Sequence, residues 1–418
     1  MRRRRGVRWL AIAAAMVAAA VSPVGTGRAP SASATVGSSL AATAAPATGV
    51  VTAHDDRFWL GDQPITFEGT NLHALCCASS EFAQLRAWGM NFIRNQMQWS
   101  RLEPNPPVQN GDGTWTHTYD QAYLNIYAST VSRAASAGLY VLVGNHGCAC
   151  TLFGYPDWVY LSPYNSHGLT YPRTDVGASL AATDFWSDPL RQQFMIDALT
   201  AVVSKVSAID GVAGYEMLNE PQAGTLPNTA ETTATILDWQ LRAARAVRSI
   251  DPPRTVFFTT RYGYAPGLPA ADLSGFTALG NVAFDVHDYF GGRWGTGLIE
   301  DPESSAFEQT YQPMYNHTLS DDPPPEYPYI GTTLGQVRFM QNVLDSLQPW
   351  HIPLLVGEFG IYGADTPSPY LYFGTVTAAL DHLGLSWAMS EYDSPIGFED
   401  EQGNLEPWAQ IVIDAANQ

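Results

Sequence analysis

Two glutamates stand at the ends of two apolar runs: Glu220 closes Gly214-Tyr215-Glu216-Met217-Leu218-Asn219-Glu220, and Glu358 closes Leu354-Leu355-Val356-Gly357-Glu358. Both runs are short and apolar, as a strand of a buried parallel sheet is. Alternation along the first sends Glu216 and Leu218 to one side, and Glu220 emerges just past the strand end. Carboxyl groups at the mouths of two parallel strands can face each other. Such a pair suits the cleavage of a glycosidic bond, in which one carboxylic acid protonates the leaving oxygen and one carboxylate attacks the sugar or activates water. A separation of ~5 to 5.5 Å goes with attack and retention, and a wider one with inversion. Taken singly, each glutamate reads equally well as a solvated loop acid, and Asn-Glu-Pro is an ordinary way to leave a strand.

The elements that must carry this pair emerge from periodicity. Candidate strands are Ile65 to Asn71, Asn91 to Asn95, Tyr140 to Asn145, Val212 to Leu218, Thr255 to Thr260, Val282 to His287, Leu354 to Glu358 and Ser386 to Met389. Between them lie helix-like stretches: Tyr119 to Ala137, Pro189 to Val206, Thr233 to Ile250, Gln336 to Leu347 and Tyr370 to Leu383. Eight strands alternating with helices predict an α/β fold, a TIM (β/α)8 barrel whose active face is built from the loops after the strands. Asp188 before Pro189 predicts an N-cap with proline at the first helical position, and Gly138 and Gly384 predict C-terminal caps. The fifth crossover, Arg261 to Gly280, carries the weakest helical pattern. Gly147 to Asp188 and Phe290 to Gly335 read as long insertions on the active face.

The bulk of the chain sets limits. Arg2 to Arg5 and Arg8, an uncharged apolar stretch from Trp9 to Val21 and small residues through Ala34 predict a signal peptide over 1–34. The stretch is shorter than the ~20 residues of a membrane-spanning helix, so stable membrane insertion is not expected. Residues 35–50 read as a flexible leader, and 51–418 as a single catalytic domain of a secreted, extracellular protein. The 418 residues carry 21 basic and 40 acidic side chains; without the six arginines of the signal peptide the balance is 15 against 40. Such a charge repels a phosphate backbone, so nucleic acid is not an expected partner. Twelve Trp and 20 Tyr supply aromatic faces suited to sugar rings, although a large barrel buries many aromatics for packing alone. The four cysteines fall in two tight pairs, Cys76-Cys77 and Cys148-Cys150, neither with zinc-ligand spacing. Export favours disulfides, with three connectivities open. The pairs come after strands one and three, alternate strands whose loops can touch, and a vicinal bridge is strained. Cross-links between the two loops are therefore expected, and no metal.

With these residues in order, the chain resembles the cellulase-type glycoside hydrolase family 5 from about residue 55 to 410. The resemblance implies a retaining β/α barrel with Glu220 as acid/base after strand four and Glu358 as nucleophile after strand seven. It also implies supports. Arg94 at the end of strand two would hold Glu358 ionised, His146 would stand at the end of strand three, and Asn219 would donate to the sugar 2-hydroxyl. His287 and Tyr289 match the His-x-Tyr after strand six, the tyrosine donating to Glu358. Trp387 matches the tryptophan of strand eight that floors the cleaved subsite; read alone it is a core residue. His73, beyond strand one, is placed to reach a sugar hydroxyl or to pack. The chain departs from the family pattern in Gly144-Asn145 before His146 and in its paired cysteines.

The expected activity is hydrolysis of a β-glycosidic bond in a polysaccharide or oligosaccharide, of β-1,4-glucan or mannan type, by double displacement with no cofactor. One rival is an endoglycoceramidase-like hydrolase of glycolipids, suggested by the Gly-Tyr-x-x-x-Asn-Glu-Pro context. Such enzymes carry a β-sandwich after the barrel, for which little chain remains after strand eight. The other rival is a barrel that binds carbohydrate without cutting it, against which the complete set of supports argues.

Overall fold

Short β-branched and apolar runs that bury both faces pair best in parallel, each covered by a helix outside. The computed structural model describes residues 45–72, 77–146, 154–172, 174–263, 265, 268–288, 333–360, 369–392, 397–399, 404–406 and 408–418. Its eight parallel strands are β1 (Glu68–Leu72), β2 (Phe92–Met97), β3 (Tyr140–Asn145), β4 (Val212–Glu216), β5 (Thr255–Phe258), β6 (Val282–Asp288), β7 (Leu354–Phe359) and β8 (Ser386–Met389). They pair in chain order and close when β8 meets β1, Trp387 opposite Glu68. A helix comes after each: α1 (Ser79–Ala87), α2 (Gln121–Ser136), α3 (Pro189–Val206), α4 (Ala230–Ile250), α5 (Ser274–Leu279), α6 (Thr333–Leu347), α7 (Pro369–Leu383) and α8 (Ala409–Ala415). The molecule is a TIM (β/α)8 barrel. No helix among the described residues is long and apolar enough to cross a membrane.

The expected helix boundaries hold where the capping chemistry is explicit. Asp188 accepts from the N–H groups of Leu190 and Arg191, both at 3.1 Å, and proline opens α3. Gly138 and Gly384 end their helices at φ 89° and 63°, a backbone state in which any side chain is strained. The fifth crossover holds two single 3-10 turns and the six-residue α5, which accounts for its faint helical pattern.

Two differences from expectation matter. The strand placed at Ile65 to Asn71 begins at Glu68, because the chain before it folds on itself. Val51–His54, Arg57–Leu60 and Gln63–Ile65 form an antiparallel sheet. Its first turn is the two-residue step Asp55-Asp56, with φ 51° and 61°, matching the twist of a tight hairpin. This sheet is the floor of the barrel: Phe58 stacks at 5.7 Å on Phe257 of β5 and lies at 5.2 Å from Phe67, which meets Phe92 of β2 at 4.7 Å. Second, the run read as an insertion between Gly147 and Asp188 contains a helix, Asp175–Phe185. Ahead of it Tyr155, Trp158 and Tyr160 are buried. The apolar floor fills the lower barrel and leaves the upper interior to polar side chains.

Candidate active site

Inward positions at the open end of the barrel are Asn71 on β1, Arg94 and Gln96 on β2, Glu216 on β4, Asp285 and His287 on β6, and Glu358 on β7. All are buried. Arg94 is their centre. Its Nε and Nη2 bind Glu216 Oε2 and Oε1 at 3.0 and 2.6 Å, a bidentate pair, and Nη2 also reaches Asn219 Oδ1 at 2.6 Å. Its Nη1 donates to Asn71 Oδ1 at 2.8 Å and to Glu358 Oε1 at 2.5 Å. Burial alone would lower the Arg94 pKa, but Glu216, Glu358 and Asp285 outweigh it and hold the guanidinium well above its ordinary value. A charge this deep persists because it is paired on all sides.

Two glycines make room for this cluster. A Cβ on Gly144 would lie 2.7 Å from Glu216 Oε2, and one on Gly357 would lie 2.1 Å from Asp285 Oδ1. The departure noted at Gly144 thus has a steric cause: a larger residue would displace the acid that holds Arg94. Gly357 also sits at a break in register. Val286 faces Val356, but His287 faces Glu358, so one extra residue enters β7, and the pairing of β7 with β8 shifts over the same stretch. A bulge re-aims the residues beyond it. Glu358 thereby points inward, although strict alternation from Leu355 would send it out.

Glu220 reaches the mouth differently. Beyond β4 the Asn219 N–H donates to Asn145 O at 2.8 Å, and Glu220 adopts φ 41°, a left-handed state uncommon for a residue with a side chain. Its carboxylate accepts from His287 Nδ1 at 2.8 Å, and the same nitrogen lies 3.7 Å from Glu358 Oε2. One carboxylate oxygen of Glu220 and one of Glu358 come within 4.8 Å of each other. Burial by itself lowers the His287 pKa. Glu358, Glu220 and Asp285 more than reverse this, pushing it up to about 9.

The other expected residues divide. His146 lies beside Gln96 Oε1, with Asn219 Nδ2 at 3.3 Å, and Gln96 Nε2 donates to Glu358 Oε1 at 3.1 Å. Trp387 requires correction. Ala388 joins Phe257 and Leu355 in the barrel interior, so its neighbour Trp387 faces the outer layer, 5.7 Å from Phe359 and 2% exposed. Phe359 in turn meets Phe373 of α7 at 6.2 Å. Strand parity therefore makes Trp387 a packing residue, turned away from the mouth. His73, Tyr289, Cys76, Cys148 and Cys150 lie outside the described residues. Sequence reasoning missed Asn71, Gln96 and Asp285 as site residues and left Glu216 without a role. Their signal was available as polar residues sharing the inward parity of Arg94 and His287.

The chain matches the family model described as cellulase (glycosyl hydrolase family 5) over residues 60–394. No curated protein matches it. Among solved structures it is similar to endo-glycoceramidase II from Rhodococcus sp., at TM-score 0.61 and 19% identity, over 87% of this chain and 80% of that one. An endogalactoceramidase aligns at TM-score 0.63 and 17% identity, over 88% and 85% of the two chains. A hyperthermophilic endo-β-1,4-glucanase aligns at 0.57 and 16%, over 84% and 97%. With the model spanning most of the barrel, the chain belongs to glycosyl hydrolase family 5 and is a glycoside hydrolase.

Proposed function

We propose that the enzyme cleaves β-glycosidic bonds with retention, Glu220 acting as acid/base and Glu358 as nucleophile. The observation that carries this reading is the approach of the two carboxylates to within 4.8 Å, a spacing too short to admit a water between sugar and base. In the first half-reaction Glu220 gives its proton to the glycosidic oxygen as the C1–O bond breaks. Glu358 forms a new bond to C1, and the leaving alcohol departs. In the second, water adds to C1 and yields its proton to Glu220, and Glu358 leaves as a carboxylate. Arg94 and Gln96 stabilise the negative charge of Glu358 before attack and after release. Asn219 is placed for the 2-hydroxyl beside His146, and Tyr289 is assigned to Glu358 by its position after His287. The chemistry calls for no cofactor.

The substrate class belongs to the same reading: a β-glucan or mannan, met outside the cell by an exported protein cleaved near Ala34. The likeness to an endoglycoceramidase and an endogalactoceramidase favours a second reading, in which the bond cut lies in a glycolipid. A cross-link between the loops after β1 and β3 is proposed with it, supported by Cys77, which holds no free thiol. Incubation with a 2-deoxy-2-fluoro glycoside should add one sugar mass to the peptide carrying Glu358; a label elsewhere would contradict the assignment. Parallel assays on β-1,4-glucan, mannan, xylan and glycosphingolipid separate the two substrate readings.

A further inference from the structure

Glu220 stands at φ 41°, a left-handed state that is strained for a residue with a side chain and persists only where its surroundings hold it. The next residue adds a second restriction. Pro221 crowds the backbone before it and brings no N–H to anchor the chain. Upstream the segment is fixed by the Asn219 N–H on Asn145 O at 2.8 Å. Downstream the holds come from outside the barrel strands. Trp186 Nε1 donates to Gln222 O at 2.8 Å. The Thr225 N–H donates to Thr183 Oγ1 at 2.7 Å, and the two threonine hydroxyl oxygens stand 3.0 Å apart. Arg261, beyond β5, donates from Nη1 to Leu226 O at 2.9 Å.

Thr183 lies in the last turn of the helix Asp175–Phe185 and Trp186 caps that helix, so both belong to the insertion after β3. Each is itself fixed. The Thr183 hydroxyl donates to Ser179 O at 2.9 Å, one turn back, which leaves its lone pairs for Thr225. The Trp186 ring stands edge-on to Phe185 at 5.1 Å and to Trp239 of α4 at 6.4 Å. The loop after Glu220 lies close against the helix, because Gly224 sits at the contact with φ 58°. A Cβ there would stand 2.2 Å from Thr183 Oγ1 and 2.3 Å from Ser179 O.

We propose that Trp186 and Thr183 are positioning residues for Glu220. By fixing the loop at Gln222 and Thr225, the inserted helix keeps Glu220 in its left-handed conformation, with its carboxylate on His287 and opposite Glu358. This rests on the reading of Glu220 as acid/base. A carboxyl that gives one proton to the leaving oxygen and takes one from water works only within hydrogen-bond reach, so a shift of ~1 Å weakens it.

W186F keeps an aromatic ring beside Phe185 and Trp239 and removes the N–H; T183V keeps the shape and removes the oxygen. On phenyl β-cellobioside or β-lactoside, whose leaving group needs a proton, kcat/KM of W186F falls on the order of tenfold. On the 2,4-dinitrophenyl glycosides, whose leaving group departs without one, kcat/KM changes by less than about threefold. T183V shows the same selectivity with a smaller loss. Equal losses on both leaving groups, or none in either variant, overturn the proposal, since a purely structural role lowers both rates together. E220Q assayed in parallel separates the two levels. If E220Q shows no dependence on the leaving group, the acid/base reading itself fails; if E220Q shows it and neither W186F nor T183V does, only the role of the insertion fails. Crystal structures of the two variants read the geometry without a substrate. The Glu220 carboxylate should draw away from His287 Nδ1, lengthening the 2.8 Å contact by ~1 Å in W186F. A contact of wild-type length in both variants overturns the proposal.

Discussion

At the scale of single residues, Arg94 spends five donors on Asn71, Glu216, Asn219 and Glu358, and none meets water. Lysine offers three donors around one point and cannot span the bidentate Glu216 pair. R94K should therefore lose on the order of 3 kcal/mol of stability, measured by urea unfolding, because it leaves buried carboxylates partly unpaired. Hydrolysis should fall at least tenfold as Glu358 loses its closest cation. Stability and rates equal to wild type would show that the guanidinium geometry is unnecessary. The sequence made Arg94, Asn219, Glu220, His287 and Glu358 legible because each sits at a strand end in a recognisable local run. Trp387 misled because its neighbours in sequence resemble the family run while the strand parity opposes it. Asp285 stayed silent for a different reason. An aspartate inside a strand has no local meaning until Gly357, a residue 72 positions away, gives it space and a donor.

At the scale of elements, the bulge in β7 does what periodicity alone could not predict. Alternation from Leu355 turns Gly357 inward, and the inserted residue brings Glu358 inward as well. An alanine at 357 would press its Cβ to 2.1 Å from Asp285 Oδ1, so strand or carboxylate must move. G357A should lose about 1–3 kcal/mol, as overpacked interiors do. Displacement of Glu358, the proposed nucleophile, by even ~1 Å should lower kcat on the order of 100-fold. Calorimetry and steady-state kinetics on the one variant test both; unaltered kcat would mean that the bulge does not aim Glu358. Helices and caps were readable because their signals are local, as with Asp188 ahead of Pro189 and Gly138 after α2. The floor sheet was not, although Asp55-Asp56 is a turn signal, because its flanking strands are only four residues each.

At the scale of the molecule, the barrel is divided. Phe67, Phe92 and Phe257 with Phe58 of the N-terminal sheet fill its lower half, and one arginine with its acids fills the upper. Stability and chemistry are thereby separated along the barrel axis, as loops at one face and packing at the other allow. F58A should cost about 3–5 kcal/mol of unfolding free energy while the folded fraction keeps its kcat. A lost kcat in fully folded F58A would mean that the floor takes part in the site. The net acidic composition fits a substrate without phosphate, and the choice between glycan and glycolipid falls to direct assay on both. Attack by Glu358 fixes the configuration of the anomeric carbon in the first product released. When a β-glycoside is hydrolysed in an NMR tube, the proton spectrum of the first product formed distinguishes the two anomers before they interconvert. Two carboxylates within 4.8 Å predict that the β-anomer appears first and the α-anomer grows in later by mutarotation. An α-anomer at the earliest time points would mean inversion, and would contradict the assignment of Glu358 as nucleophile.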